Sequence, residues 1–148
     1  MPLKEITLET WMNYAFRSMF FAGFTSVIAK RGLAGISGEL GLAVRTLCVA
    51  FLVLCFAVAT VQPEQLGQLR RPNLLWLGLS GVTTALSWIY YYKALKDGEV
   101  STIALIDKGS VVVSIFLAWI LLREAITARM VTGSGFIVLG LLVIAKKI

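Results

Sequence analysis

An all-helical integral membrane protein with five spans is what this sequence predicts, and three observations carry the prediction. Hydrophobic residues make up 58% of the 148 residues and charged residues only 15%, with a mean hydropathy of +0.84. Soluble domains run about 45–50% apolar and about 25% charged, so the chain departs from them toward lipid. The apolar residues gather into five runs, each close to the ~20 that carry a helix across a bilayer. Between the runs the connections are short, and none can hold a soluble catalytic domain. A single domain over residues 1–148 follows.

The first run covers about 11–29 and is interrupted by Arg17, whose long side chain can snorkel to the near interface. Ahead of it, "MPLKEITLETW" sets Glu5 and Glu9 beside Lys4. That segment lacks a basic n-region and a small-residue cleavage site, so no cleaved signal peptide is expected. "GLAGISGELG" follows, with Gly32, Gly35, Gly38 and Gly41 three apart. Glycine at this density reads as a flexible or tightly packed connection.

The second run, about 40–61, holds Arg45 near its start and the two cysteines, Cys48 and Cys55. Two helical turns separate these thiols by roughly 10 Å, too far for a disulfide. "QPEQLGQLRRPN" is the clearest loop. The third run, about 73–95, ends in "WIYYYKAL"; the fourth is about 101–122, and the fifth, about 130–145, is closed by Lys146 and Lys147. Gly78 and Gly81 with Ala85, and Gly133 with Gly140, form small-residue faces suited to helix packing.

Composition also excludes functions. With no histidine and two thiols, neither a catalytic triad nor a zinc site of the usual kind has its parts, and no cofactor or metal is expected. The net charge of +6 is spread singly or in pairs between apolar runs, as membrane-flanking anchors are, so no nucleic-acid partner is expected. Five spans put the termini on opposite sides. The amino-terminal side then carries Lys4, Arg70, Arg71, Arg123 and Arg129, and the other side Lys30, Arg31, Lys93, Lys96, Lys146 and Lys147. Arg17 and Arg45 add one to each. That near balance leaves orientation undecided by charge and is compatible with insertion both ways.

Charges inside the runs carry the functional argument. Asp107 and Lys108 stand side by side in the fourth run, where each charge costs about 2.5–3.5 kcal/mol on insertion scales. Neighbouring helical residues point about 100° apart, so the two are not expected to pair face to face. Asp107 shares a stripe with Ser110, Ser114 and Ala118, which suits a cavity or another helix better than lipid. Its candidate counter-ions are Arg45 and Lys30. For Lys108 the candidates are a carbonyl cluster, Glu39, Glu124 of a second copy, or a bound anion. Two readings stand side by side: a buried ion pair that fixes helix register, or a substrate or ion path. Trp88 and Tyr92 share a helical face at i, i+4, and they suit either an interfacial aromatic belt or a lined cavity.

From "LSWIYYYKALKDGEV" through "STIALIDKGSVVVSIFLAWILLREAIT" to the glycine-containing last run, the chain resembles the repeat of EamA-type transporters in the drug/metabolite transporter superfamily. "FAGFTSVIAKRGLAGISGELGLAVRT" resembles the first two spans of its single-repeat, five-span members, so the likeness covers nearly the whole chain. "AKRGL", "AVRT", "YYKAL" with "GEVS", and "IDK" are each weak alone and specific in their order. The resemblance implies an all-helical carrier. In longer relatives two such repeats lie inverted about a central pathway, so a one-repeat chain would dimerise to build the equivalent. Arg45, Asp107, Lys108 and Lys30 fall at family-like polar positions. Two departures stand out: Arg123 where a glycine is expected before Glu124, and Leu105 where relatives often have proline. The related small multidrug resistance proteins carry a glutamate in the first span. This chain has none between Met12 and Ala29, and its cation-rich polar set points to an anionic or zwitterionic metabolite.

The sequence thus predicts a secondary transporter, not an enzyme. It is expected as a homodimer, parallel or antiparallel, working by alternating access in the cytoplasmic membrane of a prokaryote, with its site near the midplane. Arg45, Asp107, Lys108, Trp88, Tyr92 and Lys30 are the expected substrate-binding residues. The alternative is a non-transporting membrane subunit or scaffold whose charges only specify assembly.

Overall fold

The structure, a computed structural model, describes the backbone of residues 3–145 and the side chains of residues 10–144. Lys146 and Lys147 lie outside the described residues, and the side chains of Lys4, Glu5 and Glu9 do too. The described residues are helical, joined by turns, with no strand among them. In order they are α1 (Leu3–Gly32), α2 (Gly38–Thr60), α3 (Pro63–Leu66), α4 (Arg71–Asp97), α5 (Val100–Asp107) and α6 (Ser110–Leu117). A π-helical turn, Ala118–Leu122, and α7 (Ala128–Ala145) complete them.

Two stretches are long and apolar enough to cross a membrane, Gly38–Thr60 with a mean hydropathy of 2.5 and Val100–Leu122 with 2.0. Ala128–Ile144 is apolar and shorter. α1 and α4 cover the first and third expected runs, yet their sequences are more polar: α1 carries Arg17 and a charged first turn, and α4 carries Ser80, Thr83, Thr84, Ser87 and three tyrosines. Hydroxyls along these helices donate back to their own backbone. Thr25 bonds Phe21 O at 3.0 Å, Thr46 bonds Leu42 O at 2.8 Å and Thr84 bonds Ser80 O at 2.8 Å. Such i−4 bonds satisfy these hydroxyls where lipid would offer them no partner.

The chain divides into two compact units, Ile28–Asp97 and the remainder, Met1–Val27 with Gly98–Ile148. In the first, α2 packs along α4. Its core is small and lies at one end, where Leu33, Tyr92 and Leu95 are buried. The glycine-rich connection builds that core. Gly35 takes a φ of +77°, a region open to glycine, and turns the chain. Ser37 then caps α2, its Oγ accepting from Leu40 N at 3.2 Å. A Cβ on Gly38 would lie 2.9 Å from Tyr92 O, so its absence sets how closely α2 approaches α4. The connection is therefore of the tightly packed kind. By contrast, Gly78, Gly81, Gly133 and Gly140 have nothing within 4 Å of where a Cβ would stand, so their small-residue faces are unfilled within the chain.

In the second unit α5 and α6 pack against α7. The loop expected at 62–73 contains the single turn α3, closed by a reciprocal capping box between Gln62 and Gln65.

Candidate functional site

Arg45 projects from α2, about two turns beyond Gly38, toward the face of α4 that carries Trp88 and Tyr92. Its guanidinium carbon lies 4.3 Å from the centroid of the Trp88 ring and 5.7 Å from that of Tyr92. The i, i+4 spacing presents both rings to one cation. Tyr92 is buried, and Arg45 and Trp88 are half-buried. Arg45 Nη1 is buried without a hydrogen-bond partner among the described residues. Magnitudes decide what this means. Cation–π contact contributes about 0.5–2 kcal/mol, whereas an unsatisfied buried donor costs about 1–3 kcal/mol, more when charged. The rings balance part of the charge but give the N–H nothing to bond. The cluster is a cationic donor with aromatic walls.

Lys30 sits at a different task. Its Nζ donates to Leu95 O at 2.7 Å and to Lys96 O at 3.0 Å, the last carbonyls of α4. Lys96 reciprocates by donating to Leu33 O at 3.2 Å, just past the end of α1. Each lysine thus meets the negative end of the other's helix. This crossed clasp closes the core around Leu33 and Leu95. Lys30 belongs to the same end of the unit as Arg45 but faces backbone.

Asp107 and Lys108 depart from the expected geometry. Lys108 Nζ lies 3.8 Å from Asp107 Oδ2, so the neighbours do pair. The long lysine side chain spans the angle between neighbours. The helix also tightens there: Lys108 N bonds Leu105 O, Gly109 N bonds Ile106 O and Val111 N bonds Lys108 O, all i→i+3 bonds of 2.9–3.2 Å. Such a 3₁₀ stretch inside a helix often marks a hinge. A break therefore occurs at Lys108–Gly109 without the proline that Leu105 replaces. Gly109 lets this turn pack closely on α7, since a Cβ there would lie 2.9 Å from the Leu141 side chain. Both charged side chains remain about half exposed, at 45% for Asp107 and 55% for Lys108. Glu39, one of the candidate partners expected for Lys108, instead faces Lys93 at 3.8 Å. Of the stripe running on from Asp107, Ser114 and Ala118 line a groove toward α7.

Of the six expected residues, then, Arg45, Trp88 and Tyr92 form one cluster, Asp107 and Lys108 form one turn in the other unit, and Lys30 supports a helix end. Sequence reasoning missed Gly38 as a positioning residue for the cluster, although the glycine spacing around it was visible. It also missed the π-helical turn, which has no compositional signal. No group of three or more His, Cys, Asp or Glu side chains among the described residues is placed to hold a metal.

Comparison with known proteins follows the same direction. The model of the EamA-like transporter family matches residues 9–146. The chain belongs to that family. A Sinorhizobium sp protein named "uncharacterized transporter in cobO 3′ region" is 31% identical over 137 residues, which cover 93% of this chain and 97% of that one. No solved structure matches. As an EamA-like protein the chain is integral to a membrane and belongs to a family of transporters.

Proposed function

We propose that this EamA-like protein is a multi-pass secondary transporter of the prokaryotic cytoplasmic membrane that moves a small anionic or zwitterionic metabolite. In this reading the chain crosses the bilayer five times. Two copies, antiparallel, enclose a midplane site and work by alternating access. Arg45 holds the anionic group, Trp88 and Tyr92 wall the path, and Asp107 with Lys108 balances charge at a break in the fourth span. Lys30 maintains the clasp behind the site, because a substrate would have to displace its two carbonyl bonds.

One observation carries the reading: the Arg45 guanidinium lies on two aromatic faces with Nη1 buried and unpartnered. Aromatic faces cover the cation's plane and leave its edge N–H groups for a carboxylate or phosphate, the geometry arginine binds best. The test is a thermal-stability screen of purified protein against small carboxylates, zwitterions and amines, repeated on Arg45→Gln. A ligand at about 100 times its Kd stabilises by about 2.7 kcal/mol. Stabilisation by acids or zwitterions that Arg45→Gln abolishes is expected. Stabilisation by amines alone, or unchanged by the substitution, refutes the assignment.

A further inference from the structure

A second feature lies in the unit that does not contain Arg45, and it requires only that the chain sits in a membrane. A groove of about 230 Å³ runs beside the end of α6, floored by Val111, Ile115, Ala118, Ile126 and Met130. Val111, Ser114, Ile115 and Ala118 follow at i, i+3, i+4 and i+7, so one helical face supplies most of that floor. Glu124 stands at its mouth and also lines an adjoining hollow of about 410 Å³ with Trp119 and Arg123.

The backbone at this mouth is unusual twice over. Ala118–Leu122 is a π turn, and Glu124 N still reaches Ala118 O at 3.3 Å. Arg123 then adopts φ 55° and ψ 33°, the left-handed region, and it is the one non-glycine residue with positive φ among those described. That conformation costs an ordinary side chain about 1–2 kcal/mol and glycine nothing. Strain of this kind tends to persist where a side chain has work to do. Neither Arg123 nor Glu124 makes a side-chain hydrogen bond or ion pair among the described residues, and both are exposed.

An exposed anion, Glu124, lines an apolar groove at the close of a membrane-capable stretch, and the adjacent exposed cation, Arg123, lines with it the hollow beside that groove. We propose that this groove seats a zwitterionic phospholipid with a primary-amine headgroup, the phosphoethanolamine type. Its phosphate meets Arg123, its ammonium donates to Glu124, and an acyl chain lies along Val111, Ile115, Ile126 and Met130. A carboxylate favours a headgroup with N–H donors over a quaternary amine, which has none to give.

Native mass spectrometry of the purified protein with equimolar phosphatidylethanolamine, phosphatidylcholine and phosphatidylglycerol tests this. Preferential retention of phosphatidylethanolamine is expected. Glu124→Gln should lower that preference about tenfold, and Arg123→Gly should weaken retention of both zwitterionic lipids by a similar factor, the effect of one charge-assisted bond each. Arg123→Gly relieves the backbone, so a folding failure does not confound it. Equal retention of all three headgroups overturns the proposal, as does an unchanged preference in Glu124→Gln. Competition by free phosphoethanolamine as strong as by the lipid also overturns it, since the groove would then be idle. So does lipid binding that appears only when copies dissociate, because a second copy would then occupy the groove.

Discussion

Replacing Gly38 by alanine adds one methyl group at the point where α2 and α4 come closest. The new Cβ would stand 2.9 Å from Tyr92 O and 3.3 Å from Tyr92 C, both backbone atoms of a buried residue. Neither can swing aside as a side chain would. To regain ordinary contact at about 3.4 Å or more, the helices must separate by roughly half an ångström, and overpacking of this kind costs about 1–3 kcal/mol. Alanine's better helix propensity returns at most about 1 kcal/mol, and less in a first turn. The net effect expected is a loss of about 0–3 kcal/mol. Separation also moves Arg45 off Trp88, so tryptophan fluorescence should change together with stability. Gly81→Ala is the control, because nothing lies within 4 Å of its Cβ position. Within one protomer it should stabilise by about 0.5–1 kcal/mol. Thermal unfolding of the two variants in the same detergent decides the matter. Gly38→Ala at least as stable as Gly81→Ala, with unchanged fluorescence, refutes the view that this glycine sets the site's spacing.

Asp107→Asn should leave the protein folded at near-normal yield, because the half-exposed pair with Lys108 contributes only about 0–1 kcal/mol where solvent reaches it; substrate binding or its pH dependence should change strongly. Misassembly of that variant, rescued by also neutralising Lys108, would instead mark a register-fixing pair. Lys30→Gln removes two charge-assisted caps, each worth at most about 1.5–3 kcal/mol, and should destabilise more than Lys96→Gln, which removes one; unfolding midpoints compare them. Reporters fused to the carboxyl terminus should be found on both sides of the membrane, as the near-even charge count predicts, and one fixed orientation that survives two added lysines on the disfavoured side defeats dual insertion.

Helix positions were legible in part: the expected second, third and fifth runs lie within about two residues of helix bounds, whereas α1 begins at Leu3, ahead of the expected 11, and the fourth run is split at Lys108–Gly109. α2 was expected over about 40–61 and forms over Gly38–Thr60. The Arg45 cluster was legible in part, since the i, i+4 spacing of Trp88 and Tyr92 needs only helical geometry. That Arg45 would meet those rings needed the α2–α4 approach, which depends on a non-local contact of Gly38. The pairing of Asp107 with Lys108 was hidden for a different reason. Helical geometry separates the directions of neighbours, but a lysine side chain is long enough to span that angle, which a reading of helical faces alone does not register. At Arg123 the sequence did carry a signal. A glycine was expected there by resemblance, and the left-handed backbone gives the physical reason for it.

The crossed lysines have a consequence for how the chain acquires its sidedness. During insertion a lysine beside a span acts as a bare charge that resists translocation, whatever the later fold. Once folded, Lys30 and Lys96 hold carbonyls of each other's helices, so the same ammonium serves twice. Substitutions at these two positions therefore cannot alter orientation without also loosening a helix end. Arg31, exposed and free of side-chain hydrogen bonds or ion pairs among the described residues, carries only the first duty. Arg31→Gln should therefore shift the balance of orientations without loosening a helix end, whereas substitution of either lysine should do both.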